Sequence, residues 1–563
     1  MSRTAFLAAS LAVLALASGP AAASSAAGKP SLAPPPSQGL HPSEILKPEP
    51  GSWPTYSGDY SGQRHSPLTQ INKANVKDLK PAFKAKLSVD ISDAIIGGVA
   101  EKPAIMAAKA NVRGSILQVD GVLYVSAPDH AWAVDARTGK VLWHYFWKTK
   151  GGTHIGNRGM GMWGNYLYLE TPDNYLISLD AKTGKERWAV EIASFEEQYF
   201  STTAPIVVGD HVLVGTGNDL DMPGFLQSFD PVTGERQWKF YTVPMKEGDP
   251  GLETWKDLDT ASHGGGNAWV PGSYDPETNL YIIGTGNPSP AYFPIQRGDK
   301  DALFTCSMVA IDVETGKMKW YYQTSPNDSH DWDSAQTPIL ADIEINGKMR
   351  KVAMQAARNG YYFTVDRVTG EHLVTGKFSN SANWAYPKLN AKGQPVRIPA
   401  KDHHVSGALV SMANGGAANW QPAAYSPQTE LFYVHVTESW AMYYLTELDP
   451  RGGVGLGGKE EVSVGGENFL KAIDPKTGKI AWQLKYPSLW GGGGGSGLLT
   501  TAGGLLFGDD AGGNLVARDA TNGKPLWHVN LGWASNATQT YMLDGKQYIL
   551  VASGDTLNAF TLP

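Results

Sequence analysis

The 563-residue sequence predicts an all-β fold, an eight-bladed β-propeller with four-stranded blades. Two observations carry that expectation: a motif that recurs along the chain, and a composition rich in turn and aromatic residues. The motif reads apolar-x-Asp-x-x-Thr-Gly-Lys, with Trp eight residues after the Asp. It appears as AVDARTGKVLW, SLDAKTGKERW, SFDPVTGERQW, AIDVETGKMKW, AIDPKTGKIAW and ARDATNGKPLW. These copies end at Trp143, Trp188, Trp238, Trp320, Trp482 and Trp527; a seventh, TVDRVTGEHLV, has Val374 in the Trp position.

Each copy reads as a hairpin. One strand ends at the Asp, Thr-Gly turns with Gly free to take positive φ, and the next strand carries the Trp. A second hairpin precedes most copies, as in QVDGVLYV at 118–125 and YDPETNLYI at 274–282. Two hairpins make a four-stranded blade. The gaps between successive motif Asp residues are 45, 50, 82, 54, 108 and 45. Propeller repeats run about 40–50 residues, so the wide gaps hold loop insertions. An eighth blade closes the ring, with QYILVASG and LNAFTLP as its last strands and the N-terminal LKPAFKAKL as its outer strand. Pairing the two ends removes the open edge.

The 64 Gly and 18 Trp agree with many tight turns and buried aromatics. A net charge of −7, 42% hydrophobic and 18% charged residues describe a soluble globular chain and argue against a nucleic-acid surface. Residues 1–23 read as a signal peptide: Arg3, a short apolar run from Ala5 to Ala17, then Ala21-Ala22-Ala23 for cleavage. This predicts a periplasmic or secreted protein with no membrane span. Residues 24–50 form a flexible lead-in, and 51–563 a single propeller domain. Cys306 is alone and reads as a buried apolar residue; without Cys-x-x-Cys-His, no covalently attached haem is encoded.

The stretch WPTYSGDYSGQRHSPLTQINKANVKDL, starting at Trp53, together with the Trp-ended repeats resembles the PQQ-dependent (quinoprotein) methanol/ethanol-type alcohol dehydrogenase family. The resemblance spans about residue 50 to the C-terminus. It implies pyrroloquinoline quinone (PQQ) and Ca²⁺ as cofactors, and oxidation of an alcohol to an aldehyde or ketone. Electrons then leave to a separate cytochrome c-type acceptor. PQQ is flat and carries three carboxylates, so its site needs an aromatic floor, basic groups and a hard cation.

The resemblance assigns the floor to Trp269 in GGGNAWVPGSYDP and a metal-binding amide to Asn287 in YIIGTGNPSP. A second metal ligand falls in VGTGNDLDMPG, at Asp219 where Glu is usual, with Asp221 the alternative. Asp333, in SPNDSHDWDSAQTP, is the implied catalytic base and third metal ligand. Arg158, Thr202, Gly217, Asn218, Asn267, Arg358, Asn419 and Trp490 complete the implied cofactor contacts. Ala335 stands where lanthanide-using members carry an extra Asp, which favours Ca²⁺.

Two positions depart from the family. Gly152 and Thr153 replace its adjacent, disulfide-bonded cysteines, so His154 or Ile155 is expected to help roof the cofactor. Arg113 replaces a Glu that contacts the cofactor. Two other functions compete with the alcohol dehydrogenase reading: a non-catalytic scaffold for envelope protein assembly, and a sugar or polyol dehydrogenase of the same fold. The Gly-rich segment at 451–468 is a variable element near the expected mouth, serving as a lid or a connection.

Overall fold

The computed structural model describes residues 39–87, 98–99, 102–103, 111–152, 154, 156–219, 221–446, 458–487 and 496–563. The leader at 1–23, most of the lead-in, Thr153, Ile155, Trp490 and residues 451–457 lie outside them. Residues Pro35–Pro563 form one compact unit.

The unit is an eight-bladed propeller. Seven blades follow chain order, each a meander of four antiparallel strands; blade one, for example, is Leu117–Val119, Val122–Ala127, His130–Asp135 and Val141–Phe146. Blades two to seven begin at Gly161, Ile206, Ser273, Ile339, Ala424 and Leu499. The eighth combines Gln539–Leu543, Lys546–Ser553 and Thr556–Thr561 with Lys80–Lys86 as its outer strand. This is the closure predicted from the sequence. The wide gaps hold loops and two long strands of blade six, Leu431–Leu445 and Gly458–Asp474.

The motif has a two-part physical basis. In the first copy, Asp135 Oδ1 accepts hydrogen bonds from Arg137 N, Thr138 N and Thr138 Oγ1, fixing the turn. Every copy then shows a register shift at the same place, as between Ser178 and Leu179. The following Trp docks on the next blade: Trp143 Nε1 donates to Ala181 O at 2.9 Å, Trp188 Nε1 to Val232 O at 3.0 Å and Trp238 Nε1 to Val313 O at 2.8 Å. Its indole lies against the turn Gly of that blade. A Cβ on Gly184 would stand 2.6 Å from the Trp143 ring. The motif Gly is therefore required twice, for its φ of +69° and for the neighbour's indole.

The exceptions follow the same logic. Blade five carries Val374 in place of the Trp, and there the backbones meet directly: a Cβ on Gly376 would stand 1.9 Å from Gly478 O. At the ring closure Phe83 of the outer strand takes the indole's place against Gly139.

The segment 53–66 runs across the inner strands. Trp53 exchanges backbone hydrogen bonds with Gln118, Tyr60 O accepts from Tyr274 N, and Ser61 O accepts from Leu340 N. Gln63 O accepts from Tyr425 N, and Arg64 O from Thr500 N. Arg64 is fully buried, donating to Leu498 O and Thr538 O at 2.8 Å and to Tyr56 O at 3.2 Å. Each of its three nitrogens donates to a backbone carbonyl, which gives a buried guanidinium partners with no acid beside it. No helix among the described residues is long and apolar enough to cross a membrane.

Candidate active site

Alternate strand ends of a meander face opposite ways. Loops between blades, and turns between the second and third strands, open on one face of the propeller. All residues lining a cavity of about 380 Å³ come from these two loop classes. Trp269, Asp333 and Thr202 stand in loops between blades; Asp219, Asn287 and Arg358 follow second strands.

Glycines let these loops converge. A Cβ on Gly215 would stand 1.9 Å from Ala268 O, and one on Gly284 1.9 Å from Ser334 O. The second strands of blades three and four therefore press against the loops that carry Trp269 and Asp333.

Asp333 is held on three sides. Trp269 Nε1 donates to its Oδ2 at 2.8 Å, Asn287 N to its Oδ1 at 2.6 Å, and Arg358 Nη2 pairs with Oδ2 at 2.9 Å. Burial raises its carboxyl above the usual range, while the Arg358 charge opposes that rise. Burial raises Asp331 well above the ordinary value too, again opposed by Arg358. Arg358 also donates to Asp331 O at 2.9 Å. The net result is an acid cluster ordered around one guanidinium.

The Trp269 ring has two cationic neighbours. The guanidinium carbons of Arg158 and Arg358 lie 4.8 and 5.4 Å from its centroid. Arg158 also lies 5.1 Å from the Trp420 centroid and donates to Thr202 O at 2.5 Å. Burial lowers Arg158 to about 10, so it stays charged at neutral pH. Thr202 Oγ1 donates to Trp269 O at 3.4 Å.

The cavity brings together Arg158, Thr202, Gly217, Asp219, Asn267, Trp269, Asn287, Asp333, Arg358 and Asn419 from the sequence reading. Arg113 and His154 also line it. Both Asp219 and Asp221 are exposed, but only Asp219 lines it. Asn218 stands beside the cavity without lining it. Its side-chain amide is turned to Glu197 O at 2.9 Å, and its backbone carbonyl accepts from Asn267 Nδ2 at 2.7 Å. His154 Nε2 pairs with Asp219 Oδ2, so the residue beside the missing cysteine pair contacts an implied metal ligand directly. Ala335 is fully buried, packed beneath Gly284, and brings no oxygen to the cavity.

Sequence reasoning missed Trp420, Asp331 and Asn414. All three sit beside or near residues it chose, and nothing in their spacing separates a lining residue from a neighbour. Trp420 required the ring to fold before its stacking on Arg158 could be seen.

The lining fits a flat polyanion with a hard cation. Trp269 offers an aromatic face, and two arginines stand beside it. Arg158 Nε, Arg358 Nε and Asn267 Oδ1 are buried with no protein hydrogen-bond partner. Asp219, Asp333 and Asn287 contribute carboxylate and amide oxygens, the donors that Ca²⁺ prefers.

Fold and cavity together define the class: a propeller whose cavity suits a flat anionic cofactor. Comparison with known proteins agrees. Residues 53–380 match the glucose/ethanol/alcohol dehydrogenase β-propeller domain, and 466–562 match the outer membrane protein assembly factor BamB family. Quinohemoprotein alcohol dehydrogenase ADH-IIG of Pseudomonas putida is 34% identical over 90% of this chain and 73% of its own length. Quinoprotein alcohol dehydrogenase PedH of the same species is 32% identical over 88% of this chain and 84% of its own. The solved ADH-IIG structure superposes with a TM-score of 0.82, covering 92% of this chain and 82% of that one at 31% identity. A europium-containing methanol dehydrogenase gives 0.80, covering 90% and 91% at 29% identity. The chain belongs to the PQQ-dependent alcohol dehydrogenase family.

Proposed function

We propose that Asp333 is the base of an alcohol oxidation carried out in this cavity, and that the metal beside it is Ca²⁺. The observation that carries this reading is the three-sided hold on Asp333 by Trp269, Asn287 and Arg358. PQQ, when bound, supplies a two-electron acceptor for the hydride of the alcohol carbon. Trp269 offers it a face to lie on, and Arg158 and Arg358 answer its carboxylates. An Asp333 carboxylate oxygen takes the alcohol's hydroxyl proton. Burial raises that carboxyl and the Arg358 charge opposes the rise; a cation held beside it would oppose it further. Arg358 keeps the carboxylate oriented and stabilises its charged form before the proton arrives.

Asp219, Asn287 and Asp333 would hold Ca²⁺; Ala335 adds no further oxygen for a trivalent ion. His154 competes with the ion for Asp219. The same reading includes export through residues 1–23 to the periplasm and electron transfer to a separate cytochrome c-type acceptor. The leader supports the first. The second rests on the likeness to quinoprotein alcohol dehydrogenases such as PedH.

The test is reconstitution with PQQ and Ca²⁺, or with La³⁺, followed by dye-linked oxidation of primary alcohols, secondary alcohols and polyols. The expected result is Ca²⁺-dependent turnover that Asp333→Ala abolishes while the bound quinone's absorption persists. Turnover with La³⁺ alone would overturn the metal assignment. A preference for polyols would move the substrate class. Failure to bind PQQ would transfer the lead to the scaffold reading.

A further inference from the structure

We infer a second cation site, on the face opposite the cofactor cavity, formed by Asp210, His211 and Glu314. One ligand atom from each lies within 4.8 Å of the others. Asp210 lies in the turn between the first two strands of blade three, His211 opens the second of those strands, and Glu314 lies in the last turn of blade four. Those turn classes face away from the loops that line the cavity. The two halves are a hundred residues apart in sequence, roughly, and only adjacent blades bring them together.

The decisive residue is His211. It is 5% exposed, and its Nε2 has no hydrogen-bond partner. That nitrogen faces Asp210 Oδ1 at 3.4 Å and Glu314 Oε2 at 3.6 Å. Its tautomer follows from its neighbours. Gln237 Nε2 donates to Asp210 O at 2.9 Å, which fixes Gln237 Oε1 as an acceptor. Ser228 Oγ therefore spends its one proton on Gln237 Oε1, at 2.6 Å. Ser228 Oγ must then accept from His211 Nδ1–H, at 2.8 Å. In the neutral ring this leaves an Nε2 lone pair aimed between two carboxylate oxygens. Three acceptors facing one another repel unless a positive charge stands between them.

A divalent ion satisfies all three. Zn²⁺ bonds imidazole nitrogen and carboxylate oxygen at about 2.0–2.2 Å, which in a tetrahedron separates the donors by roughly 3.4 Å. The observed His-to-carboxylate distances already lie near that spacing. Two carboxylates balance the charge, and the nitrogen donor selects a borderline ion such as Zn²⁺ over Ca²⁺. The Ser228 bond to Nδ1 is the outer contact that orients a ligating ring. The Asp210 and Glu314 side chains are 37% and 54% exposed, leaving a path for entry and a fourth position for water. Bound there, the ion would clamp blade three to blade four, across the interface where Trp238 already docks on Val313 O.

The experiment uses the full protein loaded with PQQ and Ca²⁺, dialysed against micromolar Zn²⁺, with bound metals counted by atomic emission. Wild type should hold one Zn²⁺ per chain in addition to its Ca²⁺. His211→Gln should lose it, and Glu314→Gln, which alters a direct ligand, should weaken it by at least the roughly tenfold that losing an outer contact costs. Both variants should keep wild-type alcohol oxidation and quinone absorption. Glu314 is exposed, so its variant keeps the test alive if His211→Gln does not fold. No Zn²⁺ on wild type, undiminished Zn²⁺ in the variants, or Zn²⁺ taken up only by displacing Ca²⁺ would each overturn the site.

Discussion

The loops at 214–219 and 283–288 share the run Gly-Thr-Gly-Asn and the same place in consecutive blades. Their first glycines do the same job: Gly215 admits Ala268 O and Gly284 admits Ser334 O, each at the same 1.9 Å from a notional Cβ. Their asparagines do not. Asn218 turns its amide to Glu197 O and supports Asn267 through its backbone carbonyl. Asn287 gives its backbone N–H to the Asp333 carboxylate and its side-chain amide nitrogen to Pro288 O. A Pro follows Asn287, whereas the half-exposed Asp219 follows Asn218 and pairs with His154. One motif thus fixes a backbone shape, and the neighbour that shape meets decides between support and chemistry.

The strongest test of that contrast is Asp333→Asn, which retains the side chain's size and removes the base. Turnover should fall by about 10²–10⁴-fold with PQQ still bound, as read by steady-state kinetics beside the quinone spectrum. A fall shared equally by PQQ affinity would give Asp333 a binding role instead. Next come the glycines. Gly215→Ala and Gly284→Ala should each cost about 1–3 kcal/mol of stability through backbone overpacking, seen as a lower Tm. Gly284→Ala should depress kcat more than Gly215→Ala, because the loop it displaces carries the base itself, whereas Gly215 meets the loop that carries Trp269. Equal kinetic effects would dissolve the distinction between the loops.

The asparagines sharpen it further. Asn287→Ala should weaken Ca²⁺ binding to the holoprotein by about tenfold, the scale of a disturbed metal environment. Asn218→Ala should leave Ca²⁺ affinity nearly unchanged and cost about 1 kcal/mol, the worth of one buried hydrogen bond. Calcium titration and thermal unfolding separate the two. The smallest effect is expected at His154→Ala. Releasing Asp219 from its pair should tighten Ca²⁺ binding by up to about fivefold, since a half-exposed ion pair contributes no more than roughly 1 kcal/mol. Weaker Ca²⁺ binding would instead make His154 a support for the metal ligand.

Much of this protein is legible in its sequence because the rules are local. Asp135 secures its own turn within three residues, so the repeat reads directly as hairpins. The outer strand at 80–86 was legible because an open ring edge needs a partner. The resemblance placed Trp269, Asn287, Asp333 and the arginines, and the folded chain gathers them into one cavity. The residues that stayed hidden act through partners far away in sequence. Arg64 looks like a surface charge until its carbonyl acceptors at 498 and 538 are in place. Trp420 gains meaning only over Arg158, His154 only against Asp219, and Glu314 only beside His211. The sequence alone determined the blades, their number and the chemical types in the site, because turns and strand patterns depend on near neighbours. Closure of the ring decided which of those residues face one another, because distances across a cavity or a blade interface exist only once the blades have packed.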